Sequence, residues 1–196
     1  MKVQWSTGVC LVASLLAASC TRQSVASLRP APSHSYRWPN GAPDTIRVHI
    51  ADAAGVAGWD ATDHARVVAA LRSWESTGIP LHFQIVAPTV PADLTINWVD
   101  QFRTYQSGWT TLVADRRGQI HRATVTLALY DGNGVALADS MRSAITLHEL
   151  GHALGLKHVA DSTALMWPIA GTRTKLTHTD VNAVRELYEP ERRMGK

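Results

Sequence analysis

The chain has 196 residues, 45% hydrophobic and 18% charged, enough for one well-buried domain and short for two. Its 9 Pro, 13 Gly and mean hydropathy of -0.07 exclude a collagenous, low-complexity or fully disordered chain. The net charge of +3 comes from scattered residues, with Arg116-Arg117 and Arg192-Arg193 as the adjacent pairs, so no basic stripe can track a phosphate backbone and no nucleic-acid partner is expected.

Met1 to Cys20 carries one early cation, Lys2, and then the apolar run Val9 to Ala18, too short for a membrane span and of signal-peptide length. The run ends in Leu16-Ala17-Ala18-Ser19-Cys20, which resembles the bacterial lipobox, where a peptidase cuts before a lipidated cysteine. Ala17 stands where the lipobox prefers Leu. Residues 1–19 read as a signal peptide and Cys20 as the lipidation site, with an ordinary secretory signal as the alternative. The other cysteine, Cys10, lies in the segment to be removed, so no internal disulfide is expected. Residues 20–35 are rich in Ser, Pro, Ala and Arg and read as a flexible tether. The domain is expected over 36–190, with a tail at 191–196.

Ile46, Val48 and Ile50 alternate with polar residues and predict a half-buried strand. Asp60 then caps a helix whose Val67, Val68, Leu71 and Trp74 recur at helical spacing up to Gly78. Two further strands are expected from the alternation of Leu81, Phe83 and Ile85, and of Leu94, Ile96 and Trp98. Trp109 to Val113 and Ile120 to Leu129 complete five, around the turn Asp115-Arg116-Arg117-Gly118. A helix from Asp139 or Ser140 carries Met141, Ala144, Ile145, Leu147, Leu150 and Leu154 around nearly its whole circumference, the pattern of a helix buried in the centre of a domain. Gly155 ends it. The last helix opens with Thr177 and Asp180 as a near capping box and turns Val181, Val184, Leu187 and Tyr188 inward.

The buried helix contains His148-Glu149-Leu150-Gly151-His152, continued through Gly155 to His158 as H-E-x-x-H-x-x-G-x-x-H. Residues four apart on a helix share a face, so His148 and His152 can aim at one ion about 2.0 to 2.1 Å from each nitrogen. Gly155 can take the left-handed conformation that turns the chain back and brings His158 as the third ligand. Three neutral imidazoles leave the fourth tetrahedral position open, the arrangement of a catalytic zinc and not of a closed structural one. Glu149, about 100° around the helix from His148, lies beside the ion and is the expected general base for a water attacking a carbonyl.

With these residues in place, the sequence resembles the metzincin metallopeptidases and, within them, the matrixins. Ala164-Leu165-Met166-Trp167-Pro168 is similar to the matrixin Met-turn, and Leu176 to Val181 with Leu187-Tyr188 to the closing helix; Tyr36-Arg37-Trp38 matches the start of the domain. The resemblance implies an α+β, metzincin-like fold: a twisted, mixed five-stranded sheet over a central zinc-binding helix and a second long helix, followed by a C-terminal helix. It implies one catalytic zinc, with Met166 as the hydrophobic floor beneath it. Extended substrate would lie along an edge strand assigned to Gly108, Trp109, Thr110 and Thr111. The pocket after the scissile bond would have Leu147, Leu165 and Pro168 as walls, although ordinary core is an equal reading of these three.

The departures are specific. Trp167 replaces the usual Tyr, and Ile169-Ala170 follows Pro168 where another Tyr is frequent. The prodomain cysteine has no counterpart, so latency through it is not expected. A second, structural zinc is not expected either, His121 and Asp115 being its nearest candidates, and His121, His82 and His49 read as solvent-side strand residues. Asp131-Gly132-Asn133-Gly134 reads as a turn and not a calcium loop, with calcium left open. The expected protein is a zinc-dependent endopeptidase, monomeric, acting on protein or peptide in the bacterial cell envelope or outside it and held to a membrane through Cys20. The alternatives are a cell-wall peptide hydrolase and a non-catalytic zinc- or peptide-binding lipoprotein.

Overall fold

In chain order the elements are β1 (Thr45–Ile50), α1 (Ala61–Glu75), β2 (His82–Ile85), β3 (Leu94–Val99), β4 (Gly108–Ala114), β5 (Ile120–Ala128), α2 (Asp139–Ala153) and α3 (His178–Tyr188). The computed structural model describes residues 35–39, 45–169 and 171–188. The expected signal peptide, Cys20, nearly all of the expected tether and the expected tail lie outside the described residues. No helix among the described residues is long and apolar enough to cross a membrane.

The five strands form one sheet in the order β2-β1-β3-β5-β4, with β4 alone antiparallel to its neighbour. This is the mixed five-stranded sheet that the resemblance implies. Alternation sets its two faces: Ile46, Val48 and Ile50 of β1 and Leu94, Ile96 and Trp98 of β3 point into one core with Val67, Leu71 and Trp74 of α1 and Ile145, Leu147 and Leu150 of α2. Thr95, Asn97, Thr124 and Thr126 are half-buried on the opposite face. Ile85, which alternation assigns to the interior, is 46% exposed, because β2 is an outermost strand of four residues.

The β4 to β5 hairpin turns where expected. Asp115 Oδ1 accepts from the N–H groups of Arg117 (2.8 Å) and Gln119 (2.9 Å), and Gly118 takes φ +81°. Arg37 docks beside this turn, donating its N–H to Gly118 O (3.0 Å) and accepting from Ile120 N (2.8 Å).

Two indoles place α2. Trp74 Nε1 of α1 donates to Leu147 O (3.0 Å), and Trp38 Nε1 donates to Ala153 O (2.9 Å). Tyr188 OH of α3 donates to Leu154 O (2.7 Å), so carbonyls left unpaired at the helix end are satisfied from outside. At the other end Asp63 of α1 accepts from Arg142 of α2 (3.0 Å) and from Arg66 (2.5 Å).

Candidate active site

The site is built on the C-terminal half of α2. Its end is a Schellman closure: Leu156 N donates to Gly151 O (3.0 Å) and Gly155 N to His152 O (2.8 Å), with Gly155 at φ +97°. A side chain at Gly155 is also excluded by space, since a Cβ would lie 2.0 Å from Tyr36 O. The reversed chain returns His158 over the helix. Ring centroids of His148 and His152 are 4.7 Å apart, of His152 and His158 4.7 Å, and of His148 and His158 5.3 Å.

Backbone carbonyls fix the orientation of two of the rings. His148 Nδ1 lies 2.8 Å from Leu165 O and His152 Nδ1 2.8 Å from Leu156 O. A carbonyl can only accept, so each Nδ1 carries the proton and each Nε2 presents a lone pair. His152 Nε2 and His158 Nε2 stand 3.1 Å apart, near the roughly 3.3 Å separation that two nitrogens adopt on a tetrahedral zinc. One nitrogen from each of His148, His152 and His158 falls within 4.8 Å of the others, the one such group of three or more His, Cys, Asp or Glu among the described residues. Burial pushes the His148 imidazole down to about 4, with the Leu165 carbonyl opposing, and it lowers His152 and His158 as well. Neutral imidazoles are the form that binds a metal. The donor set and its geometry fit zinc.

Met166 is fully buried, and Gly151, between His148 and His152, makes room for it: a Cβ there would meet Met166 Sδ at 2.5 Å. The turn is held by Asp180, which accepts from Leu165 N and Met166 N (both 3.0 Å) while also accepting from Thr177 N (2.8 Å). Asp180 thus positions the carbonyl that orients His148. The capping pattern picks out Asp180 in the sequence, but as a helix cap only.

Glu149 is buried, 7% exposed, and its carboxyl is raised above the usual carboxylate range by burial, with a hydrogen bond from Thr110 opposing. Thr110 Oγ1 donates to Glu149 Oε2 at 2.6 Å. This partner was not legible in the sequence, because 39 residues separate the pair.

A cleft of about 790 Å³ runs past the histidines, with Gly108, Trp109 and Thr110 of β4 on one side and Pro168 and Ile169 on the other. Thr111 does not line it; its Oγ1 accepts from Trp109 Nε1 (3.1 Å). Leu147 and Leu165 belong to the core and not to the lining, since both are buried in the hydrophobic cluster. The apolar walls come instead from Met141 and Ile145 on the earlier turns of α2, with Leu112 and Leu137. Of the other histidines, His82 and His121 are exposed, whereas His49 is half-buried with Nδ1 enclosed, because β1 lies between β2 and β3. His121 Nε2 and Asp115 Oδ2 are 3.9 Å apart and form no group of three metal-ligating side chains among the described residues. Asp131 Oδ1 is occupied by Asn133 N (2.9 Å) and Val135 N (2.8 Å), as in a turn.

Residues 42–189 match the matrixin family. The chain is a matrixin. Matrilysin of Felis catus is 43% identical over 49 residues, 23% of this chain and 19% of the relative. Stromelysin-1 of Equus caballus is 41% identical over 51 residues, 24% of this chain and 11% of the relative. Metalloendoproteinase 1-MMP of Arabidopsis thaliana is 31% identical over 134 residues, 62% of this chain and 36% of the relative. The chain therefore spans at most about a third of the length of these relatives. Membership of the family supports a zinc metalloendopeptidase, and the three histidines of this matrixin fit its zinc site.

Proposed function

We propose that this matrixin is a zinc-dependent endopeptidase acting on extended protein or peptide segments. The observation that carries the reading is the convergence of His148, His152 and His158 beside a buried glutamate, at a cleft flanked by the outermost strand of a sheet. Zinc bound there would supply Lewis acidity, acidifying a water and polarising a carbonyl.

The chain's own residues do the rest. Strand β4 has one edge free of the sheet, and an extended peptide can add to such an edge through main-chain hydrogen bonds. Met141 and Ile145 line the cleft beside that edge and receive an apolar substrate side chain. Glu149 takes a proton from the attacking water and passes it to the leaving nitrogen. Its Oε2 is held by Thr110, so Oε1 is the oxygen assigned to the proton. Burial raises the basicity of this carboxylate, which brings it closer to the pH at which it works.

Glu149→Gln keeps the side chain's size and leaves the three ligands in place. Zinc should stay near one per chain, while cleavage of a diverse peptide library falls by at least about a hundredfold, the usual contribution of a positioned general base. A zinc-loaded wild-type protein that cleaves nothing, or a Glu149→Gln protein that cleaves as fast, would refute the reading.

We also propose that the protein is exported and held at a bacterial cell envelope through lipid on Cys20. Support comes from the apolar run ending at Ala18 and the small residues before that cysteine. Labelled fatty acid should enter the wild-type protein and not Cys20→Ser; equal label in both would overturn the anchor.

A further inference from the structure

Strand β4 has side chains as well as an edge. Gly108 and Thr110 are two apart, so they face the same way, and both meet Glu149. A Cβ on Gly108 would lie 2.5 Å from Glu149 Cγ, 2.6 Å from Oε1 and 2.8 Å from Cδ. The glutamate stem therefore occupies the space that any other residue would fill. Thr110 Oγ1 donates to Oε2 at 2.6 Å and lies 3.1 Å from the Glu149 main-chain oxygen. Among the described residues this hydroxyl is the one hydrogen-bond partner of the carboxylate.

We propose that Gly108 and Thr110 are positioning residues for the reaction: together they form a cradle that holds the Glu149 carboxylate beside the histidine cluster. Gly108 supplies the room and Thr110 the hydroxyl. The proposal rests on the reading of Glu149 as the general base. A glutamate has several rotatable bonds, and a base that must find its orientation in each turnover loses rate; one fixed beforehand does not. Both oxygens are placed by the same strand, Oε1 in the space that Gly108 leaves open and Oε2 by Thr110. The strand that offers its main-chain edge to the substrate thus sets the base with its inward side chains.

Thr110→Val keeps the shape and deletes the hydroxyl; Thr110→Ser keeps the hydroxyl and deletes the methyl. Zinc content, kcat and KM would be measured for both with a cleaved peptide, and crystal structures of the wild type and Thr110→Val would locate the carboxylate. Thr110→Val should lower kcat by about ten- to a hundredfold, as expected for a misplaced reacting group. KM and zinc per chain should stay unchanged, and Thr110→Ser should recover most of the loss. In the crystal the Glu149 carboxylate should leave its position in Thr110→Val. Gly108→Ala should displace it too and lower kcat at least as far, which keeps a test open if Thr110→Val does not fold.

A merely structural hydroxyl would lower the melting temperature and leave kcat untouched where the protein is folded. Wild-type kcat in Thr110→Val, or an unmoved Glu149 carboxylate in both Thr110→Val and Gly108→Ala, would overturn the cradle. If zinc-loaded wild type is inactive, the peptidase reading falls by itself, and the crystal structures still decide whether these two residues hold Glu149.

Discussion

Helices α1 and α2 are both 15 residues long and lie against each other, yet they are held by different physics. Helix α1 carries its own instructions. Asp60 and Asp63 form a reciprocal capping box, and Val67, Ala70, Leu71 and Trp74 make one buried stripe with solvent on the other side. Helix α2 begins at Ala138 with no side-chain cap, and from Ala144 to Gly151 every residue is buried. Such a helix takes its place from its surroundings: Trp74, Trp38 and Tyr188 reach its carbonyls, and Arg142 reaches Asp63. A helix that must bury polar ligands is safest where each polar group has an assigned partner. His148, His152 and Glu149 each have one.

The contrast can be broken most severely at the point the helices share. Asp63 is 3% exposed and faces both Arg66 and Arg142. Asp63→Ala leaves the Arg142 guanidinium without its carboxylate and Arg66 with Asp139 alone, and should cost about 3 kcal/mol, measured by urea unfolding. A loss below about 1 kcal/mol would show that the pair contributes no more than a surface contact.

Next in size is a test of sign. An exposed helical glycine replaced by alanine gains about 1 kcal/mol. At Gly151 the new Cβ would lie 2.5 Å from Met166 Sδ and 2.9 Å from Trp74 Cζ2, so Gly151→Ala should instead lose about 1 to 3 kcal/mol through overpacking. The displaced Met166 should also weaken zinc retention against a chelator. A stabilised Gly151→Ala protein would mean that α2 behaves as α1 does.

The smallest effect belongs to α1 alone. Asp60→Ala removes the cap that accepts from Thr62 N and should cost about 1 kcal/mol, with no change in kcat. A fall in kcat would show that the start of α1 is coupled to the site through Asp63 and Arg142.

Much of the fold was legible because its signals are short-ranged. Alternation in β1 and β3, the Asp115 to Gly118 turn, the Asp60 cap and the string His148 to His158 are each contained within about a dozen residues. Period and spacing read directly as faces and turns. The misplacements have a common cause. Ile85 alternates correctly, but strand order leaves it outermost. Leu147 and Leu165 stand next to site residues in sequence, yet a helix turns the neighbour of His148 by about 100°, into the core.

By itself, the sequence determined the three histidines, the glutamate beside them, and the glycine that turns His158 back, since these depend on helical spacing and on the one residue type free to adopt a positive φ. Only the tertiary structure decided what holds them. Thr110 and Gly108 reach Glu149 from a strand about 40 residues away, Asp180 sets the Leu165 carbonyl from the last helix, and Tyr36 closes over Gly155 from the start of the domain. Contacts of that range arise from the packing of whole elements, so no local pattern encodes them.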